Sequence, residues 1–340
     1  MNNKIKKLFS KNETYIFLIL VALSILIEFR SGQFFTLNNI VDIMSAMIVP
    51  GLFAVGAFLV ILTGGFDVSF PALASLVAYA TTKLLLETGY TGSVIVPFII
   101  AIALGLVFGA INGFFVGYLD FPAMIVTLGT SSIFKGIMQG TLQSKQLAVI
   151  PKAMKDFGTS GLVTVTNPTS GLSSRLPVAF LILVLVYLVF GFILKYTMFG
   201  RGIYAIGGNP QAAHTVGFKV KRTKFLLFVI VGAISSIAGI IRVCLMQQCH
   251  PTNMLGMEMN IIAGVVLGGT SVLGGKGSLT GCFLGTLLIV LVENSMILIG
   301  VPVIWKDVFV GLLIIIGTAI SAIQSNKQGR RKVAKKGKEN

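Results

Sequence analysis

The succession of long apolar stretches constrains this chain more than any other feature. They are Tyr15–Phe29, Ile40–Leu62, Phe70–Leu86, Ser93–Leu119, Phe121–Gln139, Leu176–Lys195, Phe225–Met246, Met259–Leu273, Leu279–Gly300 and Pro302–Ile323. A hydrocarbon core takes ~20 apolar helical residues to cross, and several stretches reach that length. The shorter ones depend on neighbours for cover. With 55% hydrophobic and 11% charged residues among 340, the chain carries more apolar surface than one soluble core can bury. The expectation is an all-α polytopic membrane protein of about ten transmembrane helices, forming a single transmembrane domain over residues 1–340.

A net charge of +16 raises nucleic acid as a partner, but the charges are not spread over a soluble face. They gather at Lys4–Lys11, in the central loop and at Lys327–Lys338, which is the pattern of topology signals and lipid headgroup contacts. An even number of spans puts both termini on one side. Both are basic, so the segments 1–14 and 324–340 and the central loop are read as cytoplasmic, with lipid and not nucleic acid as the surrounding partner. Glu28-Phe29-Arg30 closes the first stretch where a cleavage site would need small residues, so a retained first span is expected. Cys244, Cys249 and Cys282 are too few, and too apolar in context, for a disulfide framework.

The central loop, residues 197–224, contains no acid. Asn209 followed by Pro210 reads as a helix start, because the Asn side chain accepts a backbone N–H and Pro lacks only one that would be unpaired there. One or two turns over Gln211–Val216 then reach Gly217, a left-handed stop. A short capped helix in a basic loop is read as a coupling element, with Arg201, Asn209, Pro210, Ala212, Ala213, His214 and Gly217 as its candidate residues. The segment 140–175, broken by Pro151, Gly158, Gly161, Pro168 and Gly171, is too polar to span and reads as an external cap or partner-facing loop.

Gly105, Gly109, Gly113 and Gly117 recur every four residues, as do Gly277, Gly281 and Gly285. Such faces let helix backbones approach closely where lipid supplies no hydrophobic drive. The third stretch opens with Phe70-Pro71, and the eighth is short and carries Gly264, Gly268 and Gly269. If stretches two to five and seven to ten are repeats, these odd helices match in position and the repeats are inverted, an arrangement that points to a translocation site.

Three further stretches carry chemistry. Gly64-Gly65-Phe66-Asp67-Val68-Ser69 offers Asp67 and Ser69 as helix caps or as coupling groups. Thr127–Gly136 sets a row of hydroxyls and Lys135 within one helix. Leu267–Gly277 falls short of a phosphate-binding loop: Gly277 follows Gly275-Lys276 where Ser or Thr is needed, and no strand precedes it, so the chain is not expected to bind ATP. Cys244, Met246, Cys249, His250, Met254, Met257 and Met259 are soft ligands in a spacing that matches no copper motif. No metal or cofactor is expected. Glu293 and Lys306 flank the Gly300–Pro302 break and suit an ion pair between neighbouring helices.

Taken together and in order, these stretches resemble the sugar-type permease subunits of bacterial ABC importers, the ribose and autoinducer-2 permease family. Gly64 to Ala72 resembles that family's G-G-I-D-L-S-V-G-S, and Thr127 to Gly136 its T-L-G-T-x-x-I-x-R-G. Phe199 to Ala213 is similar to F-G-R-x-x-Y-A-x-G-x-N-x-x-A-A, Val266 to Gly277 to V-L-G-G-x-S-x-x-G-G-x-G, and Trp305 falls at a familiar place. Phe70-Pro71 stands in place of Val-Gly, Lys135 in place of Arg, His214 where Arg is common, and Glu293 where an acid is seldom found. The resemblance implies a type II importer fold of about ten spans, a second permease copy or paralogue, a cytoplasmic ATP-binding subunit and an extracytoplasmic solute-binding protein.

The function expected is that of a non-catalytic permease subunit moving a monosaccharide or similar polar solute. A nucleoside or branched-chain amino-acid permease is the alternative within the class. A self-sufficient secondary transporter would need mid-membrane carboxylates with partners, and the chain has almost none away from the ends of its stretches. No nucleophile with a base supports an enzyme. Asn112, Thr130, Ser131 and Asn260 are the expected lining of the pathway, since uncharged amides and hydroxyls bind a neutral solute without holding it. Gly64, Gly65, Asp67, Ser69, Gly268 and Gly269 are the expected motif residues of coupling.

Overall fold

The structure, a computed structural model, describes residues 12–142, 145–167, 171–296, 298–305, 308–312 and 315. Its helices are α1 (Asn12–Ser31), α2 (Leu37–Ala46), α3 (Ile48–Leu62), α4 (Phe70–Glu87), α5 (Ile95–Gly113, running on as a π-helical turn Phe114–Tyr118), α6 (Ala123–Gly140) and α7 (Lys152–Thr159). After the strands β1 (Gly161–Thr166) and β2 (Ser173–Pro177) come α8 (Ala179–Tyr196), α9 (Met198–Gly208), α10 (Pro210–Thr215), α11 (Val220–Met246), α12 (Met257–Leu267) and α13 (Leu279–Ser295).

The centre of the bundle is α3, apolar on every side and buried at every residue but Pro50. Pro50 lies in its first turn, where the missing N–H costs nothing, while its ring excludes the carbonyl of the residue four back, Ala46, which is the last of α2. The chain accordingly bends by 42° between α2 and α3. The long α11 packs against α3, α4 and, most extensively, α5.

Glycine makes that last contact. A Cβ on Gly109 would lie 2.5 Å from the Phe228 carbonyl oxygen, one on Gly113 2.7 Å from that of Phe225, and one on Gly117 2.8 Å from that of Lys221. Gly232 answers from α11, facing the backbone of Gly105 and Gly109. In the other glycine row, Gly281 and Gly285 of α13 lie against the backbone of Gly264 in α12 and of Gly268 just past its end.

The expectation of about ten transmembrane helices does not hold. Among the described residues four helices are long and apolar enough to cross a membrane, within Glu13–Ser31, Ile95–Tyr118, Ala179–Tyr196 and Val220–Met246, or five if bent α2–α3 counts as one span. Apolar character in a stretch does not tell whether protein or lipid covers it. At ~1.5 Å per residue, α12 with its 11 residues reaches about half the hydrocarbon thickness. Meanwhile α4 and α6 interrupt their apolar surface with Thr81, Thr82 and Lys83, and with Thr127, Thr130, Ser131 and Lys135. The tenth stretch lies largely outside the described residues. The inverted repeats built on that count fall with it, since the two glycine rows meet non-equivalent partners, α11 in one case and α12 in the other.

The segment 140–175 folds as α7 and an antiparallel hairpin pairing Thr164 with Arg175 and Thr166 with Ser173. It docks on α2. Asn38 Nδ2 donates to the carbonyls of Val165 (3.1 Å) and Leu172 (3.2 Å), Ser174 Oγ donates to Asp42 Oδ2 (3.0 Å), and Ser45 Oγ donates to the Arg175 carbonyl (3.0 Å).

Candidate functional site

Four stretches far apart in the chain converge at one end of the bundle. Where α3 ends, Gly64 turns with φ +79°. The Gly275 N–H donates to the Leu62 carbonyl at 2.9 Å, and a Cβ on Gly274 would lie 2.7 Å from Gly64 N and 2.9 Å from the Gly207 carbonyl oxygen. Gly274 and Gly275 hold φ of +85° and +71°, so both the backbone angle and the approach demand glycine. Tyr204 of α9 donates its hydroxyl to the Gly277 carbonyl at 3.1 Å. On the other flank Thr127 Oγ1 accepts the Val68 N–H at 3.2 Å and lies 3.3 Å from the Phe66 carbonyl. The segments 64–69, 199–213 and 266–277 thus meet backbone to backbone, and the 127–136 segment joins them through the Thr127 hydroxyl.

Beside it, Asp67 accepts both the backbone N–H and the hydroxyl of Ser69 on Oδ1, each at 2.7 Å, an Asx turn that opens α4. Asn112 of α5 donates from Nδ2 to Ser69 Oγ at 2.9 Å. All three side chains are buried. Asn112 Oδ1 has no hydrogen-bond partner among the described residues. Thr130 Oγ1 turns to its own helix, 3.4 Å from the Thr127 carbonyl, and Ser131 is buried next to it. Asn260 sits elsewhere and donates from Nδ2 to Glu293 Oε1 at 3.0 Å. Its cavity is lined by Pro50, Met257, Thr286 and Glu293, and by none of Asn112, Thr130 and Ser131. The four residues expected to share one cavity therefore divide between two places.

The capped helix forms as α10. Asn209 Oδ1 accepts the Ala212 N–H at 3.0 Å, Pro210 holds the first position, and Gly217 leaves with φ +98°. Ala213 is buried and anchors it, while Gln211, Ala212, His214, Thr215 and Val216 are exposed. Arg201, on the preceding helix, is exposed and reaches the Met198 sulfur. Lys224 pairs with Asp120 at 2.8 Å, joining the basic loop to the end of α5. Val216 and Leu273 are 78% and 88% exposed, leaving apolar surface at this end of the bundle.

At the opposite end, the segment between α11 and α12 bonds to the 140–150 stretch through the bridge Leu147–Cys249. Burial pushes the Cys249 thiol up to about 12. Among the described residues no group of three or more His, Cys, Asp and Glu stands together to hold a metal ion. Lys306, the expected partner of Glu293, lies outside the described residues. Two features escaped sequence reasoning: Asn38, Asp42 and Ser45 lining one face of α2, and Arg242 within the apolar run of α11. The four- and three-residue spacing of the first set and the lone charge of the second were the available signals.

The fold is a multi-pass helical bundle whose glycine-locked end presents an exposed capped helix. Residues 39–318 match the family described as branched-chain amino acid transport system / permease component, and the chain belongs to that permease family. It is 32% identical to the autoinducer 2 import system permease protein of Klebsiella pneumoniae over 91% of this chain and 86% of that one. The ribose import permease protein of Escherichia coli is 32% identical over 88% of this chain and 92% of its own length. An autoinducer 2 import permease of Yersinia pseudotuberculosis is 30% identical over 88% and 81%. No solved structure matches the chain. The chain is a non-catalytic transmembrane permease subunit of a sugar-type ABC importer.

Proposed function

We propose that this permease imports a monosaccharide or a similar small polar solute, driven by a cytoplasmic ATP-binding subunit that docks on α10 and supplied by an extracytoplasmic solute-binding protein at the opposite end. A second permease copy or a paralogue completes the pathway, and both termini face the cytoplasm. The relatives named for ribose and autoinducer 2 import support the solute class. The basic character of the 197–224 loop supports the orientation.

One observation carries the coupling reading. The exposed α10 follows directly on α9, whose Gly207 is wedged against the backbone of Leu62 and Gly275. A push on α10 therefore has a stiff path through backbone contacts to α3 and the 274–275 turn, with no flexible side chain to absorb it. The exposed apolar groups Val216 and Leu273 offer area for a partner without cost to the fold.

The test is copurification. Ala212→Glu with Val216→Glu changes only exposed positions, so the permease should insert and remain folded, while the ATP-binding subunit no longer copurifies with tagged permease. Full retention of that subunit by the double variant would remove α10 as the docking element.

A further inference from the structure

At the end of the bundle that carries α10, a cavity of about 640 Å³ opens between α8 and α13. One wall is α8, which presents Tyr187, Leu188, Gly191 and Lys195. The facing wall is the first turns of α13, with Leu279, Thr280 and Phe283, and Tyr204 of α9 adds its ring. The four-residue spacing of Tyr187, Gly191 and Lys195, and of Leu279 and Phe283, sets each group on one helix face. Gly191 makes the hollow: a Cβ there would meet only Leu279 Cδ2, at 3.7 Å. Tyr187 and Phe283 meet edge to face, with ring centroids 5.4 Å apart. The two ends differ in chemistry. Rings and aliphatic groups line the inner end, while Lys195, Ser278 and Thr280 lie at the outer one. Along α8 the distance from Tyr187 to Lys195 is ~12 Å, at ~1.5 Å per residue.

We propose that this cavity binds one anionic glycerophospholipid of the leaflet on the α10 side, with an acyl chain along Leu188, Gly191 and Phe283 and its phosphate at Lys195. The surroundings name the occupant. Helix α8 is long and apolar enough to cross the membrane, and Leu185, Leu188 and Phe192 on its flank are 59%, 66% and 61% exposed. Hydrocarbon is therefore what lies outside the opening. A cleft that is apolar within and carries a cation at the interface matches a molecule with a tail and a negative head. Among the described residues no carboxylate pairs with Lys195, whose ammonium lies 5.0 Å from the Tyr196 ring centroid. That contact leaves its N–H donors to a phosphate. Ser278 is already committed: its hydroxyl bonds Glu13 of α1 and accepts the Gly281 N–H as the cap of α13. The Glu13 carboxylate keeps a second anion off that side. The head is held instead by Lys195 and by Thr280, exposed in the first turn of α13, where the helix end favours negative charge. The adjoining loop 197–224 contains no acid, so the field at the mouth is positive.

The test uses the assembled import complex in bilayers of equal phosphatidylglycerol and phosphatidylcholine, with native mass spectrometry reading the lipid each complex retains. The parent should retain phosphatidylglycerol over phosphatidylcholine by about fivefold, the effect of one lysine beside an anionic lipid. Lys195→Ala should bring that ratio near one. Lys219→Ala, exposed in the basic loop but outside the cavity, should leave it unchanged. Gly191→Phe fills the hollow and should remove retained lipid of both kinds; should that variant not assemble, Lys195→Ala decides alone. Equal retention of the two lipids by the parent, or an unchanged ratio in Lys195→Ala, overturns the site. Loss of the preference in Lys219→Ala does so too, because it marks a diffuse charge effect. Leu188→Cys tests the rival occupant. The native cysteines are buried, so a disulfide between permease copies under mild oxidation would place a second copy in the groove and overturn the lipid assignment.

Discussion

Replacing Gly109 by alanine tests the contact that holds the two longest helices together. The added Cβ would stand 2.5 Å from the Phe228 carbonyl oxygen, 3.1 Å from Val229 Cα and 3.2 Å from Gly232 Cα. All three are backbone atoms, so no side chain can rotate away, and α5 must part from α11 by most of an ångström. A radial gap of about 0.5–1 Å forfeits a quarter to a half of each dispersion contact along the seam, and overpacking of this kind costs about 1–3 kcal/mol. Alanine also favours the helix over glycine by about 0.8–1.0 kcal/mol, which offsets part of that cost. Gly129→Ala on α6 removes this ambiguity, because nothing lies within 4 Å of its would-be Cβ. The helix gain is common to both variants, so their difference isolates the clash at about 1–3 kcal/mol. Equilibrium unfolding in mixed detergent–dodecyl sulfate micelles, followed by helical circular dichroism, measures it. Equal stability of the two variants would refute backbone contact between α5 and α11.

Four other outcomes are expected. Ser69→Ala removes the acceptor of the buried Asn112 amide and should cost about 1–3 kcal/mol, with Asn112→Leu in the same chain recovering part of the loss; the same unfolding assay reads both. Asn209→Ala should weaken α10 by about 1 kcal/mol, seen as faster tryptic cleavage at Lys219, Lys221 and Arg222 with no change in membrane insertion. Asn38→Ala should speed hydrogen exchange in the 161–177 hairpin while leaving α3 protected, because the lost bonds to Val165 and Leu172 hold only the hairpin. Cys249, with its thiol raised to about 12, stays protonated at pH 8 and should resist maleimide there in the folded permease, labelling only after unfolding.

Much of the site was legible because it is written in backbone requirements. Asn209-Pro210 followed by Gly217 predicts α10 from capping alone, and the structure has it at Pro210–Thr215. The glycine rows announce close helix contacts in the same way. Asn112 and Asn260 were not legible as separate groups, since a buried amide in an apolar run has the same sequence appearance whether it meets Ser69 or Glu293.

Local chemistry is therefore what the sequence by itself determined: the caps, the left-handed glycines, the apolar runs, the family motifs and with them the membership in the permease family. Those features act through neighbours within a few residues, where spacing and side-chain type suffice. Tertiary structure alone decided which runs form helices long enough to cross a membrane and which are covered by protein, because burial by protein and burial by lipid select the same residues. It also decided that α5 meets α11 while α13 meets α12, and that Asn38, Asp42 and Ser45 carry a hairpin more than a hundred residues away. The gathering of Leu62, Gly64, Gly207 and Gly275 is of the same kind. A glycine states that something comes close; only the assembled bundle states what.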